Sequence, residues 1–413
     1  MVSHSPVRAA APASTDSKPR QFEKSFTQQE PISETAIDRA VEIMRTGRLH
    51  RYNVAEGELS EVALLEQDFS TFQGSRYCLA CTSGGYALHV ALRSAGLKPG
   101  EKVLANAYTL APVPGAIHNA GGVPVFVEID RNYHIDLADL DAKAATSGAR
   151  FLMLSHMRGH IADMAAIAEL CARRGITLIE DCAHTMGARY DGVRSGNFGK
   201  VACFSTQTYK HINSGEGGLI TTDDPEIAAR TIIHSGSYML YERHGAAPAP
   251  ETFQKIRLET PNYSGRMDNL RAALIRDGLE DLDRKVERWN RRYRLLEEGF
   301  RRIEGLSLPE RSPREHYVGS SIQFRAEALD SAGIPAFVRR CGQRGVELKW
   351  FGDAEPKAFT SRYDSWRYLG DPQELPATLD ALSKTLDLRV PLTFTEDDCR
   401  LITAIVGNCL TEA

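Results

Sequence analysis

The feature that most constrains the fold is a run of apolar strand-like segments that alternate with amphipathic helical segments between residues 75 and 222. Segments such as ARFLMLSH (149–156) and ITLIED (176–181) are apolar at consecutive positions, not at every second one. A strand with that pattern is covered on both faces, as happens when a parallel sheet lies between two layers of helices. The sequence therefore predicts an α/β domain with a mostly parallel sheet.

The chain divides into three segments by composition and pattern. Residues 1–31 are rich in Ala, Ser and Pro, which predicts a flexible extension, with a transit peptide as the alternative for its start. Residues 32–284 form the large α/β domain, opening with a helix for which Ser33 is the expected N-cap. After a long amphipathic helical stretch at 262–303, shorter strand and helix signals predict a smaller α+β domain at 285–413.

Charge and cysteine content exclude several classes of function. Fifty Lys and Arg balance 54 Asp and Glu, so there is no electrostatic signature of nucleic acid or membrane binding. No apolar run reaches the roughly 18 residues that span a bilayer. Eight cysteines are scattered through apolar segments, which indicates reduced thiols in a cytoplasmic protein. CLAC (78–81) has metal or redox spacing, but without a second Cys/His pair nearby it is interpreted as a buried strand, and no metal site is expected.

Ligands of open α/β sheets bind beyond the carboxyl ends of the strands, so the residues after each strand are the candidates. Ser83, Gly84, Gly85 and Tyr86 follow the first strand and open a helix. Small residues there let backbone N–H groups approach an anion, which the helix dipole also favours. The same residues suit a tight strand-to-helix turn, so both interpretations stay open.

Two further strand ends carry ionisable side chains. Asp181 ends an apolar strand, where a carboxylate needs a cation or several donors, and His184 lies three residues on. A capping role for Asp181, with His184 packed beside it, is the alternative. Ser205 and Lys210 follow the strand VACF and precede GEGG (215–218). A lysine beside glycines can hold a phosphate, carry out covalent chemistry or be solvated in a turn.

One cofactor uses all of these groups together. Pyridoxal phosphate needs a lysine for covalent attachment, a carboxylate that keeps its pyridine nitrogen protonated, and a phosphate cup. A lysine in such a pocket loses its proton more readily, because desolvation and nearby cations disfavour its charged form. Lys210, Asp181 and the turn at 83–86 therefore predict a pyridoxal phosphate site.

Five collinear segments resemble the DegT–StrS family of sugar aminotransferases, and the resemblance runs from about residue 35 to the C-terminus. The segments are TSGGYALHVAL (82–92), LKPGEKVLANAYTLAPVPGAIHNAGGVPVFVEID (97–130), HMRGHIADMAAI (156–167), LIEDCAHTMGARYDGVRSGNFG (178–199) and YKHINSGEGGLITTDD (209–224). The resemblance implies an aspartate-aminotransferase-like enzyme of fold type I. It also implies ping-pong transfer of nitrogen from glutamate or glutamine to a keto-sugar or keto-cyclitol, in amino-sugar, aminocyclitol or antibiotic biosynthesis.

The resemblance also implies roles for individual residues. Lys210 binds the cofactor covalently and later moves the proton, Asp181 pairs with the pyridinium nitrogen, and His184 lies near the ring hydroxyl. Ser205 and the amides of Gly85–Tyr86 bind the phosphate, beside Ser83 and Gly84.

Three positions depart from the family pattern. Leu110 stands where an aromatic residue often stacks on the cofactor ring, so aliphatic packing replaces stacking or Tyr108 reaches in. Gly85 replaces a usual Thr, which removes one hydroxyl from the phosphate site. Ser264-Gly265 replaces the usual Asn and aromatic residue before Arg266. Arg266 itself matches a position that reaches the partner subunit's site in relatives, which implies a homodimer with shared active sites.

The substrate is less constrained than the cofactor. GRLHRYN (47–53) and YVGSSIQF (317–324) look most like the branch that aminates keto-cyclitols with glutamine. Lys349, Trp350, Arg362 and Arg367 would suit a site for an anionic or sugar substrate, and a solvated surface with buried tryptophans is the alternative.

Two other functions compete with transamination. The first is a pyridoxal-phosphate-dependent sugar dehydratase. In the deoxygenating relatives a histidine replaces the lysine, whereas here Lys210 is kept in register and His211 follows it. The second is a regulator that keeps the fold without turnover, against which the intact lysine, carboxylate and phosphate turn argue.

Overall fold

A computed structural model describes residues 21–357 and 360–412. The helices are α1 (Glu34–Thr46), α2 (Glu61–Gln73), α3 (Gly84–Ser94), α4 (Pro112–Asn119), α5 (Leu137–Ser147), α6 (Met164–Arg174), α7 (Pro225–His234), α8 (Pro250–Ile256), α9 (Asn269–Glu280), α10 (Leu282–Arg301), α11 (Ile334–Gln343), α12 (Pro376–Ser383) and α13 (Glu396–Thr411). The strands are β1 (Tyr77–Cys81), β2 (Lys102–Asn106), β3 (Val123–Val127), β4 (Phe151–Ser155), β5 (Thr177–Asp181), β6 (Arg189–Tyr190), β7 (Val193–Arg194), β8 (Val201–Ser205), β9 (Gly218–Thr222), β10 (Leu306–Ser307), β11 (Glu315–His316), β12 (Ser321–Ala326), β13 (Lys349–Trp350) and β14 (Thr385–Arg389).

The central sheet has seven strands in the order β1-β9-β8-β5-β4-β2-β3. β9 pairs antiparallel with both of its neighbours, and the other six strands run in one direction. Within β4, Leu152 and Leu154 enter a core shared with α2 and α6, whereas Phe151 and Met153 enter a second core shared with α3 and α4. Helices therefore cover both faces, and the predicted α/β fold with a mostly parallel sheet is confirmed.

A smaller antiparallel sheet, in the order β10-β12-β14-β13, lies in the C-terminal part of the chain. Its core joins Phe324 of β12 to Phe300 of α10, Phe337 of α11 and Ile402 of α13. A third small sheet pairs β11 with the β6–β7 hairpin, and so connects this part to the large one.

The predicted boundary at 284/285 falls inside α10. Val286 and Trp289, in the first half of this helix, pack in a core of the central sheet, whereas Tyr293 and Phe300 pack in the core of the small sheet. Trp366, far beyond the boundary, also packs against the central sheet. We therefore propose two domains that α10 joins, with the segment around Trp366 returning to the large one.

The flexible extension was predicted for residues 1–31. Residues 1–20 of it lie outside the part of the chain that the structure describes. Residues 21–31 are described, and Phe22 and Phe26 are 3% and 2% exposed. Their rings lie 5.0 Å from the ring of Phe394, and Lys24 forms an ion pair with Asp398 at 2.6 Å. This stretch therefore packs against the small sheet's core, because its aromatic side chains find an apolar site there.

Several local predictions are confirmed. Ser33 caps α1, since its Oγ accepts a hydrogen bond from the N–H of Ala36 at 3.1 Å. The long helical stretch at 262–303 contains α9 and α10, which meet at Asp281. Cys78 and Cys81 lie on β1, and all eight cysteines are buried free thiols. Along the described residues, no helix has the length and apolar character needed to cross a membrane.

Candidate active site

Side-chain hydrogen bonds join the carboxyl ends of three neighbouring strands. Asn106 ends β2, and its Oδ1 accepts a hydrogen bond from the N–H of Ser155 at 2.9 Å. Ser155 ends β4, and its Oγ donates to Oδ2 of Asp181 at 2.8 Å. Oδ1 of Asp181 accepts the N–H of Ala183 at 3.1 Å. Asp181 thus caps the following turn, as the alternative interpretation expected, and its oriented carboxylate also lines a cavity with Lys210.

Lys210 and His184 are in direct contact. Lys210 lies in the loop after β8, and its Nζ is 2.7 Å from Nε2 of His184. Burial and the positive charges of Lys210 and Arg158 hold the pKa of His184 well below its ordinary value. The ring is therefore neutral at pH 7, and its Nε2 accepts a hydrogen bond from the lysine.

The pKa of Lys210 is lowered to about 7. Burial is the largest cause and the positive charge of Arg158 is the next, while the carboxylate of Asp181 acts in the opposite direction. A lysine with this pKa exists at neutral pH as a mixture of the amine and the ammonium. It can therefore attack a carbonyl carbon and also move a proton. We call Asn106, Ser155, Asp181, His184 and Lys210 the cofactor floor.

The turn after β1 forms a narrow cradle beside the cofactor floor. Ser83 caps α3 by accepting the N–H of Tyr86 at 3.1 Å. A Cβ on Gly84 would lie 2.7 Å from the Cβ of Ser205, so only glycine fits at that position. As the first residues of α3, Gly84 and Gly85 have N–H groups with no acceptor inside the helix. Ser83, Gly84, Gly85 and Ser205 line one cavity together with Lys210.

Of Tyr86 and Leu110, both predicted to contact the cofactor, only Leu110 is among the residues that line the cavity. The N–H of Tyr86 is used by the Ser83 cap, and its hydroxyl donates to the carbonyl oxygen of His234 at 2.9 Å. The side chain of Tyr86 is thus directed away from the cradle, because it packs against Tyr263. Leu110 does line the cavity, whereas Tyr108 is 1% exposed and packs against other aromatic rings. Between the two alternatives, the structure favours aliphatic packing by Leu110.

Arg266 does not line the cavity that Lys210 lines in the described chain. Its backbone bridges to Cys81, at the end of β1. Its guanidinium donates to the carbonyl oxygen of Gly236 and to Oγ of Ser264. The role predicted for Arg266, in the site of a partner subunit, therefore stays a prediction.

The cavity also carries positive charge. Its volume is about 520 Å³, and Arg158, Arg389 and Trp366 line it together with the cradle residues. We call Arg158 and Arg389 the guanidinium wall.

The four residues considered for substrate binding, Lys349, Trp350, Arg362 and Arg367, are not among the lining residues. Arg362 is held instead by Asp364, through a hydrogen bond from Nε at 2.9 Å, and Nε1 of Trp350 donates to the carbonyl oxygen of Ser383.

Sequence reasoning missed Asn106, Ser155 and the guanidinium wall. The signal for the first two was present, since VLAN and FLMLS each end an apolar strand on a polar residue, as ITLIED does. The signal for Arg158 was weaker: a charged residue between Met157 and Gly159, just after a strand.

These residues fit pyridoxal phosphate. The cradle offers backbone amides where a side chain on Gly84 would fill the space. A buried carboxylate suits a pyridinium nitrogen, and a lysine of lowered pKa suits covalent attachment. Leu110 supplies an apolar contact for a ring.

The fold and the residues that meet at Lys210 define a pyridoxal-phosphate-dependent aminotransferase of fold type I. The chain belongs to the DegT/DnrJ/EryC1/StrS aminotransferase family, whose model matches residues 32–406. The family resemblance noted in the sequence is thereby confirmed.

Individual relatives extend this result. The pleiotropic regulatory protein of Geobacillus stearothermophilus is 31% identical over 287 residues, which are 68% of this chain and 72% of that protein. L-glutamine:2-deoxy-scyllo-inosose aminotransferase of Streptoalloteichus tenebrarius is 30% identical over 309 residues, which are 73% of this chain and 70% of that protein. The crystal structure of 3-amino-5-hydroxybenzoic acid synthase superposes with a TM-score of 0.81 at 24% identity and covers 96% of this chain and 100% of its own, which shows the shared fold.

Proposed function

We propose that this aminotransferase moves nitrogen from glutamate or glutamine to a keto-sugar or keto-cyclitol by a ping-pong mechanism. The observation that carries the proposal is the contact between Lys210 and neutral His184, in a cavity that the oriented carboxylate of Asp181 also lines. Pyridoxal phosphate, when bound, supplies an electron sink for the bond that breaks at the substrate carbon.

The floor residues divide the remaining work. Asp181, held by Ser155, supplies the negative charge that keeps a ring nitrogen protonated. Nζ of Lys210 removes a proton from the donor's carbon and would deliver it to the cofactor carbon, and it would run the same transfer in reverse for the acceptor, since a group with a pKa near the working pH is effective in both directions. His184 accepts a hydrogen bond from Nζ and orients it. The N–H groups of Gly84 and Gly85 and the Oγ of Ser205 are the donors for the phosphate.

The choice of donor and acceptor draws support from a relative. The Streptoalloteichus tenebrarius protein, by its name, uses L-glutamine and a keto-cyclitol. The segments at 47–53 and 317–324 resemble the same branch.

A homodimer with shared sites would give Arg266 its predicted role. In support, the segment after Gly236, to which Arg266 donates, exposes two large apolar side chains: Tyr238 is 50% and Met239 is 77% exposed.

Of the competing functions, dehydration would need a histidine in place of Lys210, and the neighbouring His211 does not take that place. The ring of His211 packs against Trp289, and its Nε2 lies 3.1 Å from Oγ of Ser320. The regulatory function is supported by one observation: the Geobacillus stearothermophilus relative is named a pleiotropic regulatory protein. Against it stands the complete set of lysine, oriented carboxylate and phosphate cradle.

The test is spectroscopic. The purified protein with pyridoxal phosphate should show the visible band of the lysine-bound cofactor, and borohydride should fix the cofactor on Lys210. Glutamine or glutamate should then bleach the band, and a keto-cyclitol or keto-sugar should restore it. A band that no amino donor bleaches would favour the regulator, and absence of the band would refute the cofactor assignment.

A further inference from the structure

Arg158 is held deep in the active-site cavity by an unusual backbone conformation. It lies in the turn Met157–Gly159 directly after β4, with φ 55° and ψ 22°. A residue other than glycine is uncommon in this left-handed region, and such residues cluster at functional sites. The side chain is 6% exposed and lines the cavity that contains Lys210. The fold therefore places a buried guanidinium beside the reacting lysine.

The hydrogen-bonding capacity of Arg158 is largely unused. Nη2 lies 3.0 Å from Oδ2 of Asp387, but the two groups are not aligned for a hydrogen bond. Within the described residues, Nε and Nη2 of Arg158 and Oδ2 of Asp387 have no hydrogen-bond partner. Buried donors without acceptors are unfavourable and rare in folded proteins. A ligand with acceptor oxygens would satisfy them.

Arg389 extends the same positive surface from the small sheet. It ends β14, two residues after Asp387, so both side chains leave the same face of the strand. Its guanidinium carbon lies 4.2 Å from the ring centre of Tyr209. It lines the cavity with Arg158, is half-buried, and forms no ion pair with a carboxylate in the part of the chain that the structure describes.

The charge around the guanidinium wall does not balance. Asp387 neutralises one of the two arginines, and Lys349, its cross-strand neighbour, adds another positive group. The nearby carboxylates Glu216 and Glu347 are exposed to solvent, where their charge is screened. The cavity therefore has an excess of positive charge at the place where a substrate must lie.

We propose that Arg158 and Arg389 bind a carboxylate on each of the two substrates in turn, so that the ketone acceptor is itself an acid with its carboxylate near the carbonyl. The inference rests on the proposed transamination and narrows its acceptor to an acidic keto-sugar or keto-cyclitol.

The ping-pong order supplies the reason. Both substrates must bring their reacting carbon to Lys210, so both place their neighbouring groups against the guanidinium wall. The donor amino acid carries a carboxylate on that carbon. A neutral acceptor would leave Nε and Nη2 of Arg158 buried without acceptors and would give Arg389 no counter-charge, and a site built for charged hydrogen bonds strongly rejects a ligand that lacks them. Arg158, Arg389 and Lys210 line one cavity of about 520 Å³, so a group bound at the guanidinium wall shares that cavity with the reacting lysine.

The test measures binding to the holoenzyme by calorimetry, so that no turnover is needed. Two sets of titrations are compared. In the donor arm, the pyridoxal form is titrated with 2-methyl-L-glutamate and with its α-carboxamide. In the acceptor arm, the pyridoxamine form is titrated with 3-oxocyclohexane-1-carboxylate and with its carboxamide. We expect the acid to bind at least about tenfold more tightly than the amide in both arms, because each charge-assisted hydrogen bond is worth about a factor of ten or more.

Matched variants assign the preference to the guanidinium wall. Arg389→Gln should reduce the preference for the acid about tenfold in both arms. Arg158→Gln is combined with Asp387→Asn, so that no unpaired carboxylate stays buried. Arg367→Gln is the control, since this exposed arginine lies near the cavity without lining it.

Each outcome decides the inference. A preference for the acid in both arms, lost in the wall variants and kept in the control, supports it. If only the donor arm shows the preference, the acceptor is not an acid. If acid and amide bind equally, or if both wall variants keep the preference, the guanidinium wall does not bind a carboxylate. Failure of the proposed transamination is seen separately, as a visible cofactor band that no donor bleaches.

Discussion

The cofactor floor and the guanidinium wall line adjoining cavities that share Lys210 and His184, but they differ in how completely their polar groups are paired. In the floor, Asp181 accepts hydrogen bonds on both oxygens and Lys210 donates to His184. In the wall, Nε and Nη2 of Arg158 are buried without acceptors in the described structure. An unsatisfied buried donor costs about 1–3 kcal/mol.

This difference shows which part of the site is complete before substrate arrives. The floor is organised by the protein alone, as a site for one invariant cofactor should be. The wall becomes complete only when a ligand supplies oxygens, as a site for two successive substrates should be. Substitutions in the floor should therefore slow every transfer, whereas substitutions in the wall should change which molecule is used.

The largest effect is expected from Lys210→Ala. Without the amine, the protein can neither attach the cofactor covalently nor move the proton, so the rate should fall on the order of 10⁴-fold or more. Borohydride should no longer fix cofactor to the chain, while the circular dichroism spectrum stays unchanged. Lys98→Ala is the control, because Lys98 is exposed on the loop before β2, while Asn106 of the floor lies at the other end of that strand, and this variant should keep full activity. Near-normal turnover by the Lys210 variant would contradict the assignment.

Asp181→Asn comes next. Loss of the negative charge lets the ring nitrogen lose its proton, and a change of about three pKa units there corresponds to about 4 kcal/mol, or about 10³-fold in rate. Asp224→Asn is a matched control. Asp224 also follows a strand, but its carboxylate caps α7 by accepting the N–H groups of Glu226 and Ile227. Equal losses in the two variants, measured by half-reaction rates, would mean that Asp181 is only a cap.

The two regions also differ in how far the sequence predicts them. Asp181, Ser205 and Lys210 each follow an apolar strand, and the carboxyl ends of parallel strands meet at one edge of a sheet. Predicting the strands was therefore enough to predict that these three residues lie close together. At Tyr86 the predicted start of the helix agrees with the structure, and the local contact that was not predicted is the hydrogen bond from its N–H to Oγ of Ser83.

No such local rule predicts the guanidinium wall from the sequence. Arg158 and Arg389 come from different sheets and meet only because the small sheet packs over the cavity. Arg362 looked equally suitable in the sequence, next to tryptophans, yet it pairs with Asp364 two residues on. Charge and composition alone cannot tell a paired arginine from an unpaired one. The sequence of α10 is similarly uninformative, because one continuous amphipathic pattern covers the whole helix. In the structure, Trp289 packs in a core of the central sheet and Tyr293 packs in the core of the small sheet.

A smaller effect is expected from Ser155→Ala, which tests whether the floor is organised as a unit. Its Oγ orients Asp181, and the loss of one hydrogen bond to a charged group is worth about 1.5 kcal/mol, or about tenfold in rate. Ser235→Ala is the control, because Ser235 is equally buried and its Oγ donates only to the carbonyl oxygen of Ile232. If both variants lose the same activity in half-reaction assays, the effect is a general one on folding and not on Asp181.

The smallest effect is a shift in pH dependence that links the two regions. Because the pKa of Lys210 is lowered to about 7, the amine form is complete above that pH and is lost as the pH falls below it. The rate of covalent cofactor attachment to the cofactor-free protein should therefore rise with a midpoint near pH 7 and then level off. An ordinary lysine would keep gaining reactivity up to about pH 10.

Removing positive charge from the guanidinium wall should move that midpoint upward, because a nearby cation disfavours the ammonium form. Arg389→Gln should move it further than the double variant Arg158→Gln with Asp387→Asn, since the double variant removes a cation together with its counter-ion and leaves the net charge unchanged. Stopped-flow absorbance at a series of pH values measures the midpoint, and Arg367→Gln should leave it unchanged. A downward shift, or no shift in either variant, would show that the guanidinium wall does not act on Lys210, and the pKa would then be set by burial alone.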